Sequence, residues 1–303
     1  MTDLYRSFGL TFASDFPLEG FLPAASGMAP DIVIETGPAA RGEANATGIE
    51  PRTVVPASGG ILFHMPDIAA FWVRDGKRID LSPAAGADPA HIRLYLIGSA
   101  MGLILHQRDL FALHAATVAS QGKAIAFVGP QQAGKSTLAA SLAQAGHEVL
   151  GDDTMAVWRG EPLPRVWPGA GSFKLWSNTV KALGLSPGPA ISNRLDKYFV
   201  DNPAMAADRP MPLGAVILLD AAAPEEDIQC ERLAPLEAID LLAQHAYRPE
   251  FVPLLNRQNA HFNACARLAD QVPFWRLKRP RALDRLPETV GWLQENWRRL
   301  TVR

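Results

Sequence analysis

A glycine-rich segment at residues 129–136 has the residue types and spacing of a phosphate-binding loop. It reads Gly-Pro-Gln-Gln-Ala-Gly-Lys-Ser and fits the pattern G-x-x-x-x-G-K-[ST]. In such a loop the backbone N–H groups turn toward phosphate oxygens, and the N-terminus of the next helix adds positive potential. Lys135 is predicted to reach the β- and γ-phosphates of ATP, and the Ser136 hydroxyl to bind Mg²⁺. The predicted nucleotide-binding residues are Gly129, Gln131, Gln132, Ala133, Gly134, Lys135, Ser136 and Thr137.

The elements around this segment are those that a phosphate loop requires. An apolar run at residues 124–128 predicts a strand before it, and residues 136–144 have the composition of a helix after it. The alternative interpretation is a glycine-rich turn between a strand and a helix, whose lysine is merely solvated. The strand before the loop and the helix after it favour the phosphate loop.

Acidic residues at two places could complete such a site. Asp152 and Asp153 follow a short apolar strand, 16 residues after Ser136. We expect this strand to lie beside the loop strand, so that its carboxyl end faces the phosphates. One carboxylate would bind Mg²⁺ and the other would act as general base. Asp220, at the end of the apolar run 213–219, is the alternative, although Ala221 rather than a glutamate follows it. Either site could also be a simple aspartate-capped turn.

His114 is a further candidate for proton transfer. It lies in the apolar run 111–118, just before the loop strand. Apolar surroundings favour the neutral imidazole, which suits a proton relay or an orienting partner. A lone histidine in an apolar run is more often a residue of the core.

Composition and charge indicate an ordinary globular protein. The chain has 303 residues, 48% of them hydrophobic and 20% charged, and a formal net charge of −2. We therefore expect no nucleic-acid partner. No apolar run is long enough for a membrane span, and the start lacks a secretion signal, so we expect a cytoplasmic protein. Cys230 and Cys265 are expected to be reduced thiols.

The order of predicted elements indicates an α/β fold with two parts. Residues 1–110 are predicted as a smaller, strand-rich N-terminal region that ends in a helix at 89–107, capped by Asp88. Residues 111–303 alternate strands with helices and are predicted as a P-loop catalytic domain. Within it, residues 172–183 are predicted to form a short helix that ends at Gly184.

The order of motifs resembles the catalytic domain of the HPr kinase/phosphorylase family. The shared features are a histidine, a phosphate loop, a Gly-His turn and a strand that ends in two aspartates. They correspond here to His114, residues 129–136, residues 146–147 and the pair Asp152 and Asp153. The resemblance implies that Asp153, helped by His114, deprotonates a serine hydroxyl and that Asp152 serves the metal, with Lys135 on the transferred phosphate.

The resemblance stops after about residue 160, where the downstream glycine-rich signature of HPr kinases is missing. In its length, strand-rich front and missing signature, the chain looks like the lasso-peptide precursor kinases. That likeness implies a peptide or small-protein acceptor, such as the C-terminal serine of a precursor peptide. The alternatives are a small-molecule kinase on the same core and a non-catalytic, nucleotide-gated peptide-binding module. A homo-oligomer is compatible with the sequence.

A few other residues could contribute to the site. Lys174 follows a glycine-rich stretch and could bind a phosphate or a substrate carboxylate, or be solvated. Arg194 and Lys197 could neutralise the transferring phosphate. Trp158, Trp167 and Trp176 could form an apolar wall for a peptide, although such residues more often fill a core.

Overall fold

The N-terminal part of the chain forms a mixed β-sheet. The computed structural model describes residues 2–37, 53–57, 59–160, 162–192 and 195–302. The eight strands of the sheet lie in the order β3-β1-β2-β4-β8-β7-β6-β5 within the described residues. They are β1 (Asp3–Ser7), β2 (Leu10–Ser14), β3 (Leu22–Pro23), β4 (Ile32–Thr36), β5 (Thr53–Ala57), β6 (Gly60–Met65), β7 (Ala69–Arg74) and β8 (Arg78–Pro83). The turn signal Arg74-Asp-Gly-Lys77 predicts a hairpin, and β7 and β8 confirm it by pairing antiparallel around residues 75–77. The segment at 38–51, polar and rich in glycine and alanine, is predicted as a loop and lies outside the described residues.

A helical segment packs against this sheet and confirms the helix predicted at 89–107. It consists of α1 (Pro89–Tyr95) and α2 (Met101–Gln107), which are joined by one wider helical turn at Leu96–Ala100. Asp88 caps α1, because its carboxylate accepts a hydrogen bond of 2.8 Å from the N–H of Ala90. Leu96, Leu103 and Ile104 are fully buried in the core under the sheet.

The second part of the chain alternates strands with helices and confirms the mixed α/β architecture. Its strands are β9 (Phe111–Leu113), β10 (Ala116–Ser120), β11 (Lys123–Val128), β12 (Val149–Gly151), β13 (Met155–Trp158), β14 (Arg165–Val166), β15 (Ser172–Trp176), β16 (Ala190–Ser192), β17 (Leu195–Asp201), β18 (Met211–Ala222), β19 (Gln229–Arg232) and β20 (Phe274–Pro280). Its helices are α3 (Lys135–Gln144), α4 (Ser177–Ala182), α5 (Pro235–Gln244), α6 (Phe251–Leu254), α7 (Gln258–Gln271) and α8 (Leu286–Leu300). Cys230 and Cys265 are free thiols. Within the described residues, no helix is both long enough and apolar enough to cross a membrane.

In the second part of the chain, β10, β11, β12, β18 and β20 belong to one sheet, here called the central sheet. Several of its strands run in the same direction and so bring the loops after them to one edge. The strands β11, β18 and β20 are parallel neighbours. The strand β12 pairs antiparallel with β10, which pairs antiparallel with β11, so β12 also runs with them. Our expectation that β12 lies beside the loop strand was therefore wrong. The strand β10 intervenes because the tight turn after it folds it back onto β11.

The helix predicted at 172–183 was wrong over its first half. Residues 172–176 form β15, which pairs antiparallel with β17, and only residues 177–182 are helical. Phe173 and Leu175 are buried while their neighbours are half-buried, which is the period-two pattern of a strand. A small sheet of β15, β17 and β16 results.

Short hydrogen bonds attach the N-terminal sheet to the second part. The N–H of Phe8 donates to the carbonyl of Pro168 at 2.6 Å, and the N–H of Gly171 donates to Gly20 at 2.7 Å. The indole of Trp158 donates to the carbonyl of Phe8 at 2.8 Å. The division into residues 1–110 and 111–303 stays a prediction.

Gly9 offers a test of this attachment. It lies at φ +76° in the turn between β1 and β2, and a Cβ added there would come within 2.7 Å of the Trp167 ring. Gly122 has φ +75° in the equivalent turn between β10 and β11, with nothing within 4 Å of an added Cβ. We expect Gly122→Ala to lower the free energy of unfolding by about 1 kcal/mol through the left-handed conformation alone. We expect Gly9→Ala to lower it by about 3 kcal/mol, because overpacking is added.

Urea denaturation of both variants and of the wild type measures this difference. Equal losses in the two variants would show that the contact with Trp167 is not tightly packed.

Candidate active site

A cavity of about 610 Å³ opens at the edge where the parallel strands end. Its volume is ordinary for a small-molecule site, for which about 300–1,000 Å³ is typical. Its wall consists of residues 131–137, His114, Asp152, Asp153, residues 174–179, Asp196, Lys197, Arg279, residues 281–283 and Leu286. Every predicted nucleotide-binding residue except Gly129 lines it, together with every predicted catalytic and metal-binding residue.

The loop before α3 has a conformation that depends on its glycines. Gly134 has φ +88°, and an added Cβ would lie 2.4 Å from the Nη2 atom of Arg279. Gly129 has φ +149°, and an added Cβ would lie 2.9 Å from the carbonyl oxygen of Leu219 in the neighbouring strand β18. A side chain at either position would therefore push the loop away from Arg279 or from β18. Gly129 lies behind the cavity, where its carbonyl binds Lys135.

Lys135 begins α3 and folds back over its own loop. Its ammonium group donates to the carbonyl of Gly129 at 2.8 Å and to that of Pro130 at 3.2 Å. The residue is only 7% exposed. Burial lowers the pKa of Lys135, and the nearby Asp152 and Asp153 oppose that shift. The loop thus presents a desolvated cation whose hydrogen bonds to two neutral carbonyls can be exchanged for stronger bonds to an anion.

Asp152 is a buried carboxylate beside Ser136. Its Oδ2 atom accepts a hydrogen bond of 3.1 Å from the N–H of Lys174. Its Oδ1 atom is buried and has no hydrogen-bond partner within the described part of the chain. Burial raises the pKa of Asp152, and the charge of Asp153 raises it further. A free buried carboxylate oxygen next to a hydroxyl provides the hard oxygen ligands that Mg²⁺ prefers.

No group of three or more His, Cys, Asp or Glu side chains that could hold a metal ion occurs among the residues described. A magnesium ion at Asp152 would take phosphate oxygens and waters as its remaining ligands. That is how Mg²⁺ is usually bound at phosphate-transfer sites, through one or two protein ligands and the substrate phosphates. The donor set of Ser136 and Asp152 fits that arrangement.

Asp153 is bound by two basic side chains. Its backbone has φ +77°, which is a strained conformation for a residue other than glycine. Its Oδ2 atom accepts a hydrogen bond of 2.6 Å from Lys174, and its Oδ1 atom lies 3.2 Å from Nδ1 of His114. Burial opposes the ionised form, but Lys174 and His114 hold the pKa of Asp153 well below its usual range.

The orientation of His114 follows from its neighbours. Its Nδ1 atom lies 2.9 Å from the backbone carbonyl of Asp153 and 3.2 Å from the carboxylate. Both neighbours accept hydrogen bonds, so Nδ1 carries the proton and Nε2 is left as the basic nitrogen. The backbone N–H of His114 donates to the carbonyl of His245 at 2.9 Å, and the ring lies 6.2 Å from that of Tyr247.

Two basic residues of the site were missed by the sequence analysis. Arg279 is 3% exposed and donates from Nη2 to the carbonyl of Ala133 at 3.0 Å. Burial, with Arg281 nearby, lowers the pKa of Arg279 to about 10. Arg281 donates to the carbonyl of Gln132. They lie 146 and 149 residues in sequence from the loop residues that they contact. The only local signal was a cluster of basic residues between positions 276 and 281.

The remaining candidates differ in where they lie relative to the cavity. Lys174 and Lys197 line the cavity, as does Trp176. Asp220 does not line it, and its exposed carboxylate caps the N–H of Ala221 at 2.8 Å, so the aspartate pair is the better candidate. Arg194 lies outside the described residues. Trp158 and Trp167 contact the N-terminal sheet rather than the cavity.

Comparisons with known proteins add little to this geometry. No protein-family model matches the chain, and no curated protein matches it. Among solved structures the chain is similar to the Hpr(Ser) kinase/phosphatase from Coxiella burnetii, with 13% sequence identity over 62% of this chain and 95% of that chain. The TM-score is 0.34. A likeness at this level carries no argument, so the function has to be argued from the site itself.

The pH dependence of stability tests the environment of His245. Burial, with Lys135 and His114 nearby, lowers the pKa of His245 from 6.5 to about 4. The unfolded chain therefore binds a proton at this side chain more readily than the folded chain, so acid favours unfolding. We expect the melting temperature of the wild type to fall between pH 6.5 and about 4 more steeply than that of His245→Gln.

Thermal melts at pH 7, 6 and 5 check this expectation, with His91→Gln as a control outside the site. Parallel pH curves for the wild type and His245→Gln would show that His245 is not held neutral by its surroundings.

Proposed function

We propose that the chain is a kinase that transfers the γ-phosphoryl group of ATP to a hydroxyl group, with Mg²⁺ as cofactor. One observation carries the proposal. A single cavity contains the glycine-dependent loop with Lys135 and Ser136, the free carboxylate oxygen of Asp152, and the contacts of Asp153 with His114 and Lys174. Such a cavity has separate groups to bind the phosphates, the metal ion and the acceptor hydroxyl.

The loop and the basic residues behind it would bind the phosphates. Lys135 would leave the carbonyls of Gly129 and Pro130 for the β- and γ-phosphates, to which an ammonium group bonds more strongly. Arg279 supports the loop from behind through the carbonyl of Ala133. In phosphoryl transfer, most of the rate gain comes from this kind of positioning and charge neutralisation.

Asp152 and Ser136 would hold Mg²⁺ together with phosphate oxygens. The ion, when bound, would neutralise the charge that develops on the β- and γ-oxygens. Asp152 is prepared for this role because its Oδ1 atom has no other partner within the described residues. The N–H of Lys174 holds the other oxygen in place.

Asp153 and His114 would receive the acceptor hydroxyl. In the proposed step the hydroxyl oxygen bonds to the γ-phosphorus, the bond from that phosphorus to the bridging oxygen breaks, and ADP leaves. The hydroxyl proton passes to Asp153, whose position His114 fixes through Nδ1. As negative charge develops on the transferred phosphoryl group, the ammonium group of Lys174 would move from Asp153 toward it, since Lys174 lines the same cavity.

The family resemblance favours a serine hydroxyl of a peptide or small protein as the acceptor. The likeness to lasso-peptide precursor kinases favours, more specifically, the C-terminal serine of a precursor peptide. A small-molecule acceptor is the alternative, for which the second cavity described below has room. ATP consumption in the presence of either class of compound would distinguish both from a binding module, which would bind ATP without losing its γ-phosphate.

Two substitutions test the division of roles between Lys135 and His114. We expect Lys135→Ala to lower kcat/KM by more than about 1,000-fold, because it removes charge stabilisation of the transferring group. We expect His114→Ala to lower it by about 100-fold, at the lower end of the range for acid–base groups, since a loose transition state needs little help from a base.

Release of ADP and transfer of labelled γ-phosphate measure both effects. Lys181→Ala, on α4 outside the cavity, is the matched control and should retain wild-type activity. Equal residual activity of the two site variants would contradict these roles.

A further inference from the structure

A second cavity of about 340 Å³ adjoins the first. Asp152, Asp153 and Lys174 line both cavities and so form the partition between them. None of the loop residues 129–137, all of which the structure describes, lines the second cavity. A compound in the second cavity would therefore reach Asp153 from a side that the nucleotide does not occupy.

The N-terminal part of the chain provides much of the wall of this second cavity. The wall residues from that part are Phe8, Glu19, Gly20, Phe21, Leu22, Arg93, Leu94 and Ile97. The opposite wall includes residues 170–172, Phe199 and Met205. The hydrogen bonds of Phe8 to Pro168 and of Gly171 to Gly20 fix the two walls relative to each other. The cavity is thus enclosed by both parts of the chain and held in shape by the hydrogen bonds between them.

Arg93 provides a positive charge in this wall. Its Nη1 atom forms an ion pair of 2.7 Å with Glu19. The two partners differ in burial, because the side chain of Arg93 is 13% exposed whereas that of Glu19 is 66% exposed. Because Glu19 is largely exposed, it can return to water when the carboxylate of a ligand takes its place on Arg93. A guanidinium group so placed is suited to a planar carboxylate, which it binds through two hydrogen bonds.

We propose that the second cavity is the acceptor site and that it takes a small hydroxyl compound with a carboxylate group. The proposal rests on the kinase function proposed above. The hydroxyl would lie at Asp153, on the partition, and the carboxylate would bind Arg93. A volume of about 340 Å³ is near the lower limit of ligand sites, so it has room for one compound the size of an amino acid or for the last residue of a peptide. Both sources present the same carboxylate and hydroxyl.

Binding measurements with defined probes test the acceptor class. We propose NMR saturation-transfer and calorimetric titrations of the full chain with L-serine, D-glycerate, ethanolamine, the tripeptide Gly-Ala-Ser and its C-terminal amide. We expect at least one carboxylate compound to bind, and ethanolamine and the amide to bind at least about 10-fold more weakly. Binding of L-serine or D-glycerate indicates a free hydroxy acid, and binding of the tripeptide alone indicates a peptide terminus.

Three variants locate the binding. We expect Arg93→Gln to weaken carboxylate binding by about 10- to 100-fold and Arg93→Lys to restore part of it. Leu94→Trp, from the half-buried wall of α1, should fill the cavity and abolish binding. Arg209→Gln is the matched control, because Arg209 forms an exposed ion pair with Glu148 and lines neither cavity.

The outcomes separate this proposal from the kinase proposal. No binding of any carboxylate probe, equal binding of ethanolamine or the amide, or unchanged binding in Arg93→Gln and Leu94→Trp overturns the acceptor site. An equal loss of ATP binding in these two variants also overturns it, since that would mark a general defect. Loss of the γ-phosphate of ATP that depends on Lys135 tests the kinase function separately, and that function can hold when the acceptor site fails.

Discussion

Lys174 binds both aspartates of the candidate site, and the arrangement of the cavities depends on these two bonds. Its main-chain N–H donates to Asp152 and its ammonium group donates to Asp153. The main-chain bond is available because β15 is an edge strand whose residues alternate between paired and unpaired N–H groups. The ammonium bond helps to offset the left-handed backbone of Asp153, a conformation that costs about 1–3 kcal/mol. Asp153 is thereby turned toward His114 while Asp152 stays beside the loop.

This arrangement requires three segments of the fold to meet at one point. The aspartates follow β12, His114 follows β9, and Lys174 lies in the small sheet of β15 to β17. The direction of β12, parallel to β11 across the intervening β10, brings the aspartates to the edge where the loop begins. The N-terminal sheet then covers the far side of the partition through Phe8 and Gly20. The short backbone hydrogen bonds of Phe8 and Gly20 hold this cover in place.

The local parts of the site could be predicted from the sequence, whereas the parts assembled over long distances could not. The loop, its strand and its helix are contiguous, so the spacing of Gly129, Gly134 and Lys135 was enough to predict the order of strand, loop and helix. Arg279 comes from a strand far along the chain, and its place behind Ala133 depends on the sheet order, which no local pattern contains. The same limit explains the errors at β12 and β15. Tertiary packing decides which strands lie side by side, and this explains the error at β12. At β15, residues 172–176 have a composition that also suits a helix.

The partition has a consequence for the proposed reaction. Because Lys174 and His114 hold the pKa of Asp153 well below its usual range, Asp153 would be a weak base for an arriving hydroxyl as long as both partners stay in place. Lys174 is the better candidate to move, since it lines both cavities and a transferring phosphate would attract its charge more strongly than a carboxylate already shared with His114. His114 is held by a second bond to the carbonyl of Asp153 and would keep the carboxylate oriented. Nucleotide and acceptor would then be coupled through one lysine, because Asp153 would become a stronger base for the hydroxyl when phosphate on the other side draws Lys174 away.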